Sequence, residues 1–164
     1  DWALDRIIPD CIRALEAGNP IDIRSPQAIR PWQHVLEPLG GYMLLAKKMW
    51  ESPTEYCEGW NFGPRAESIS TVWEVATKVI KHYGSGSLCD LSDPNALHEA
   101  KLLMLDISKA KFRLGWEPVM GIDRTVGMTV DWYRHYRNVD PYSLCLRQIA
   151  EYCAEHDNLK KNRK

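Results

Sequence analysis

Apolar positions recur three and four residues apart along much of this chain and alternate over several shorter stretches. The pattern therefore reads as helices joined by brief strands. Over residues 9–17, Cys11, Ile12 and Leu15 share a helical face, with Leu4, Ile7 and Ile8 in phase ahead of it. Pro9 suits a first helical position and Gly18 a stop. Residues 20–24 alternate as a strand, SPQA makes a turn, and residues 29–35 form a second extended piece. A helix over 39–50 carries Leu39, Tyr42, Met43, Ala46 and Met49 or Trp50 on one face, and its Gly40–Gly41 pair admits a close neighbour. GWNFG, residues 59–63, reads as a short apolar strand stopped by Gly-Pro.

The sharpest helix spans 71–83. Ser70 or Thr71 caps it, Thr71 and Glu74 have the spacing of a capping box, Gly84 ends the run, and Val72, Val75, Ala76, Val79, Ile80 and Tyr83 form its buried stripe. Strands follow over 87–91 and 101–105, then a short helix over 108–114 that stops at Gly115. Asp123 is placed to cap a helix over 124–137, and a last amphipathic helix covers 141–156. Met128, Trp132 and Tyr136 add a second stripe to the 124–137 helix, more than one core needs, and suggest an assembly face. The expectation is a mostly helical α/β fold with short strands, forming one domain over residues 1–164.

Composition narrows the class. With 45% hydrophobic and 26% charged residues and a net charge of −1, the 164-residue chain lacks the basic footprint of a nucleic-acid binder. Its one basic run, LKKNRK, is at the end of the sequence, where a solvated, frayed terminus is the ordinary reading. No apolar run approaches the ~20 residues of a membrane span. Five cysteines without a CxxC pair suit reduced thiols in a cytoplasm rather than a disulfide framework or a zinc site. Seven tryptophans call for a large buried area or an interface; Trp32 and Trp60 are read as core. The sequence opens on Asp1 without an initiator Met, as a cut point in a longer protein would.

The candidate chemistry is binding rather than catalysis. Arg24 and Arg30 flank the SPQA turn, and guanidinium forks on short extended segments suit a diphosphate, although most arginines simply face solvent. There is no glycine-rich dinucleotide turn, no P-loop, no HExxH or GxSxG, and no Tyr followed four residues later by Lys. The five histidines are dispersed; His98 stands out because Glu99 and Lys101 adjoin it in a polar loop. No catalytic residue is assigned, and no metal ligand.

Three stretches carry a resemblance: IRPWQHVLEPLGGY (29–42), EGWNFGP (58–64) with its capped helix, and LDISKAKFRLGWEPVMGIDRTVGMTVDWY (105–133). Together they resemble the carboxyl-terminal part of the extended short-chain dehydrogenase/reductases that act on nucleotide sugars. The RPWQHVLEPLGGY run, the opening DWALDRIIPDCIRAL and the HEA at 98–100 are similar to the CDP-glucose 4,6-dehydratase family. The resemblance implies an α/β chain without the family's amino-terminal Rossmann half, and NAD held by that absent half. It implies CDP-glucose as substrate and a reaction in three steps: oxidation at C4, loss of water across C5 and C6, and return of the hydride to C6. It also implies a homo-oligomer, dimer or tetramer, and a cytoplasmic setting.

For the site, the resemblance points residue by residue. Arg6 and Ile7, with Asp22 and Arg24 on the alternating strand, approach nucleobase and ribose. Arg30 matches a diphosphate-binding arginine, and the 98–101 loop, with His98 and Lys101, replaces an arginine-bearing run. Asp22 is suited to accept from the C4 amine of cytosine. By the same analogy GWNFG belongs to a parallel sheet shared with the absent half, which would leave an apolar edge bare and the separate piece marginally stable or self-associating.

Overall fold

The computed structural model describes residues 2–93 and 102–161. In chain order they form α1 (Ile7–Glu16), β1 (Ile21–Ile23), β2 (Ile29–Arg30), α2 (Leu36–Glu51), α3 (Pro53–Tyr56), β3 (Ser70–Thr71), α4 (Val72–Tyr83), β4 (Leu88–Asp90), a π-helical turn (Ala110–Leu114), α5 (Ile122–His135) and α6 (Pro141–Lys161). This is a mostly helical α/β fold with few, short strands.

Each helix follows from local chemistry. In α4 the Thr71 hydroxyl accepts from the Glu74 amide at 3.2 Å while the Glu74 carboxylate accepts from the Thr71 amide at 2.7 Å, and Gly84 closes the helix at φ +99°. In α1, Pro9 is the third residue rather than the first, because the helix starts from the extended Arg6. Within the first turn a proline forfeits only an N–H that has no intrahelical partner. Asp123 does not cap α5. Gly121, extended at ψ 170°, holds that position, and Asp123 in the first turn bonds Lys81 across to α4 at 3.1 Å.

β1 and β4 run parallel, Ile21 opposite Leu88 and Ile23 opposite Asp90; Ile21 and Ile23 are buried while Asp22 between them is exposed. β2 and β3 pair antiparallel, and that ladder ends at Pro31, which has no N–H to give. Between α1, β1, α4 and α5 lies the main core, built on Ile12, Ile21, Ile23, Val75, Val79 and Val130, none more than 1% exposed. Full burial of such a side chain is worth about 1.5–3 kcal/mol. Trp32 packs against this core and Trp60 against a second one around Phe62 and Trp116, as expected of core tryptophans.

Two further sequence expectations are corrected. Residues 59–63 form no strand: the Phe62 carbonyl accepts from Gln33 Nε2 at 2.8 Å, Asn61 Nδ2 donates to the Asp106 carbonyl at 3.2 Å, and Phe62 turns edge-on into Trp116. Side chains, not a ladder, take up this backbone, and its apolar residues are covered within the chain. Of the 101–105 strand only a parallel bridge, Ile29 to Leu102, forms among the described residues. The second stripe of α5 is in part covered within the chain: Met128 is buried with Met120 and with Tyr152 of α6, while Trp132 stacks on Tyr136 at 4.9 Å and both, half-buried, approach the rings of Trp2 or Tyr133.

Candidate functional site

The stretch from β1 to α2 is held by contacts on both sides, and these decide where its polar groups lie. Arg30 follows Ile29 on β2, opposite Ser70, and its guanidinium donates to the Ile29 carbonyl at 2.9 Å. Trp32 Nε1 donates to the Ser70 carbonyl at 3.1 Å and pins the chain just after it. The Leu103 amide donates to the Ile29 carbonyl at 3.2 Å, drawing residues 102–105 alongside β2. A cleft of about 200 Å³ opens there, lined by Arg30, Pro64, Ile69, Met104 and Ser108 among others. Leu103 and Met104, about half exposed, line it together with the Asp106 carboxylate, so a cation and an anion share an otherwise largely apolar cleft.

Arg24 lies elsewhere. It donates to Asp5 at 2.6 Å, both side chains about three-quarters exposed. Asp22 shares its exposed face of β1, and Arg6 stands at the start of α1 next to Asp5. Ile7 is half-buried against the main core. The structure thus gathers Arg6, Asp22 and Arg24 at the N-terminal end of α1 and the outer face of β1, and sets Arg30 in the cleft beside β2. His98 and Lys101 lie outside the described residues.

Three polar residues that the sequence reading passed over shape this region. Asp5 sits at φ +58°, the single non-glycine residue with positive φ among the described residues. That conformation costs about 1 kcal/mol or more, and an exposed ion pair returns little of it. The segment is instead held by Arg13, which donates to the Trp2 carbonyl at 3.0 Å and the Ala3 carbonyl at 3.3 Å, and by the Trp2 ring, edge-on to Tyr133 at 5.0 Å. His34, 6% exposed, accepts from the Leu36 amide at 3.3 Å; burial, with the Arg124 charge, lowers its pKa to about 4 and keeps it neutral. Glu37, 1% exposed in the first turn of α2, accepts from the amides of Val119 at 2.8 Å and Met120 at 2.7 Å and from the Tyr152 hydroxyl at 3.2 Å. The one signal for Glu37 in the sequence is an acidic residue inside an otherwise apolar run.

Chemically this region presents guanidinium and carboxylate groups at the surface. Among the described residues no glycine turn joins a strand to a following helix, so they do not fit the phosphates of a dinucleotide. No group of three His, Cys, Asp or Glu side chains is placed to hold a metal ion among them. No described helix is long and apolar enough to cross a membrane.

Comparison with models of known protein families gives no match. CDP-glucose 4,6-dehydratase of Salmonella typhimurium is 42% identical over 153 residues, 93% of this chain, which spans 43% of that enzyme's length. Among solved structures, UDP-glucuronic acid 4-epimerase of Bacillus cereus superposes with a TM-score of 0.65 at 18% identity, over 80% of this chain and 40% of its own. The dTDP-glucose 4,6-dehydratase of Bacillus anthracis gives 0.63 at 18% identity, over 84% and 42%. UDP-glucose 4-epimerase of Thermotoga maritima gives 0.65 at 18%, also over 84% and 42%. At such identities these structures speak for the fold, and the Salmonella enzyme for the sequence. The chain is therefore related over nearly its whole length to the carboxyl-terminal part of CDP-glucose 4,6-dehydratase, and it shares the fold of the nucleotide-sugar dehydratases and epimerases of the short-chain dehydrogenase/reductase family.

Proposed function

We propose that this chain is the nucleotide-sugar-binding part of a CDP-glucose 4,6-dehydratase, which converts CDP-D-glucose to CDP-4-keto-6-deoxy-D-glucose and water. The observation that carries the reading is the 42% identity sustained across 153 residues. NAD, bound by the part of the enzyme outside this chain, supplies the hydride acceptor and donor. The present residues bind and orient, as one unit. Arg30 offers its guanidinium fork to the diphosphate at the cleft beside β2. Arg6 and Ile7 approach nucleobase and ribose with Arg24, while Asp22, exposed on β1, accepts from the cytosine amine. His98 and Lys101, which precede Leu102 in the sequence, are assigned to the same grip. The intact enzyme works as a cytoplasmic homo-oligomer.

A sibling activity of the same fold is the second reading, favoured by the epimerases among the similar structures. Product analysis of the intact protein with CDP-, UDP-, dTDP- and GDP-glucose separates the two, because only the dehydratase yields a 4-keto-6-deoxy product from the CDP sugar. Calorimetry then tests the grip. Arg30→Ala weakens CDP-glucose binding tenfold or more, since charge-assisted hydrogen bonds are worth about 1.5–3 kcal/mol. Asp22→Asn narrows the preference for CDP over UDP. Unchanged affinity in Arg30→Ala overturns the assigned grip.

A further inference from the structure

The longest helix among the described residues, α6, is covered on one side only. Leu144, Gln148 and Tyr152 turn inward, and Tyr152 reaches Glu37 of α2. A second apolar row, Tyr142, Leu146, Ile149 and Cys153, lies exposed beside them, its first three members at 70%, 47% and 42%. Its steps of four, three and four residues are the seam spacing of two helices packed along their length. Ser143, Cys145, Ala150 and Ala154, which flank the row, are small and exposed, so a second backbone can come close. Between Pro141 and Ala154 the helix carries two charges, and α5 holds both: Arg147 bonds Asp131 at 2.5 Å and Glu151 bonds Arg124 at 2.7 Å. The row is thus free of charge at its centre, as the core of a protein interface is. Val35 and Leu39 of α2, also exposed, line one groove with Cys145 and Ile149 and widen the apolar face.

We propose that this row is the seam of a homodimer, on which α6 of a second copy lies antiparallel about a two-fold axis between residues 146 and 149. It gives a face to the homo-oligomer of the reading above and rests on that part of it. The two-fold sets Leu146 opposite the partner's Ile149 and Tyr142 opposite the partner's Cys153, so the bulkiest residue of the row meets the smallest. It lays the start of each helix beside the end of the other, which suits their dipoles. The basic last turn, with Lys160 and Lys161, then approaches the end where Asp140 holds the first turn of the partner helix. A parallel pair would instead set Tyr142 on its own copy and bring two basic ends together. Volume and charge therefore select the antiparallel pairing. A dimer at the low end of stable interfaces hides about 600 Å² on each partner. Six exposed apolar side chains, with the small residues between them, supply a face of that order.

Sedimentation of this chain, and of the intact protein that contains it, tests the seam. The chain passes from monomer to dimer over about 1–200 µM. Leu146→Glu and Ile149→Lys each raise the dimer dissociation constant about a hundredfold, because the two-fold buries the new charge twice; circular dichroism of native strength checks that both fold. Mixed together, the two variants pair again to within about tenfold of the wild type. The mixed dimer sets the new carboxylate against the new ammonium at one contact and keeps Leu146 on Ile149 at the other. Tyr142→Cys, a change at the exposed start of the helix, crosslinks under mild oxidation to the partner's Cys153, and adding Cys153→Ser abolishes the crosslink. Phe112→Glu, at an exposed apolar residue off the row, leaves the dissociation constant unchanged. In the intact protein the two seam variants lower the assembly by one two-fold step, tetramer to dimer or dimer to monomer. A chain that stays monomeric throughout, an equal loss in Phe112→Glu, no recovery on mixing, or a crosslink that survives Cys153→Ser overturns the proposal. An intact protein whose oligomer ignores the seam variants removes this face and keeps the homo-oligomer, whereas a monomeric intact protein removes both.

Discussion

Glu37 is the single side chain on which three parts of this protein meet, and removing it should be the costliest polar substitution in the chain. Its carboxylate ties α2 to the turn at Val119 and Met120 and to Tyr152 of α6. Glu37→Ala strands two amide N–H groups and a hydroxyl in a site that is 1% exposed. At about 1–3 kcal/mol for each unsatisfied buried group, less what relaxation recovers, the loss comes to about 3–5 kcal/mol. For a chain of this size that lowers the melting temperature by about 10 °C. Glu37→Gln keeps one oxygen for the amides and gives up the second, which faces Tyr152, for about 1–2 kcal/mol. Burial raises the Glu37 pKa despite the opposing hydrogen bonds. Its folded-state pKa thus lies above its unfolded one, so the native chain binds the extra proton in the window between them. That contribution to stability is fully present below the unfolded pKa and is lost as pH rises through the folded pKa. Thermal melts followed by circular dichroism from pH 4 to 8 should therefore show the gap between wild type and Glu37→Gln closing as pH rises. A Glu37→Ala chain melting within about 2 °C of wild type, or parallel pH profiles for wild type and Glu37→Gln, refutes the assignment.

Two further outcomes test the packing. Under native conditions a thiol reagent modifies the exposed Cys57, Cys145 and Cys153 first, whereas Cys11, fully buried with its pKa pushed up to about 12 by that burial, reacts only as the chain unfolds; mass mapping that finds Cys11 among the early sites contradicts the core. Gly41→Ala puts a Cβ 2.3 Å from Phe62 Cδ1 and loses about 1–3 kcal/mol in urea unfolding, while Gly59→Ala, with nothing within 4 Å, stays within about 0.5 kcal/mol; equal effects at the two sites refute the close approach of α2 to Phe62.

How much of this was open to a reading of the sequence depends on how far apart the interacting residues lie. The α4 helix was legible to within a residue at its cap, where Ser70 and Thr71 both qualified, because its signals are local: the two partners of its capping box are three residues apart and its stop is the next glycine along. The buried faces of α1 and α5 followed from periodicity, and so did the in–out–in alternation of β1. GWNFG failed because an apolar run states only that its residues are to be covered, and two aromatic rings cover them where a neighbouring strand was expected. The spacing of the second stripe on α5 likewise does not say what covers each residue: Met128 packs on Met120 and on Tyr152 of α6.

The groups that give the site its character lie beyond any such window. Asp5 meets Arg24 over 19 residues, and Glu37 meets Val119, Met120 and Tyr152 over 82, 83 and 115. A periodicity reading sees 11 to 18 residues at a time, and neither pairing leaves a trace at that range. Arg24 and Arg30 looked alike in sequence, two arginines about one turn. The structure sets one beside Asp5 on an exposed strand face and the other in a mostly apolar cleft. Their surroundings, not their spacing, decide how each guanidinium is held: Arg24 reaches a carboxylate 19 residues away, and Arg30 donates to the Ile29 carbonyl beside a cleft that residues 103–108 help to line.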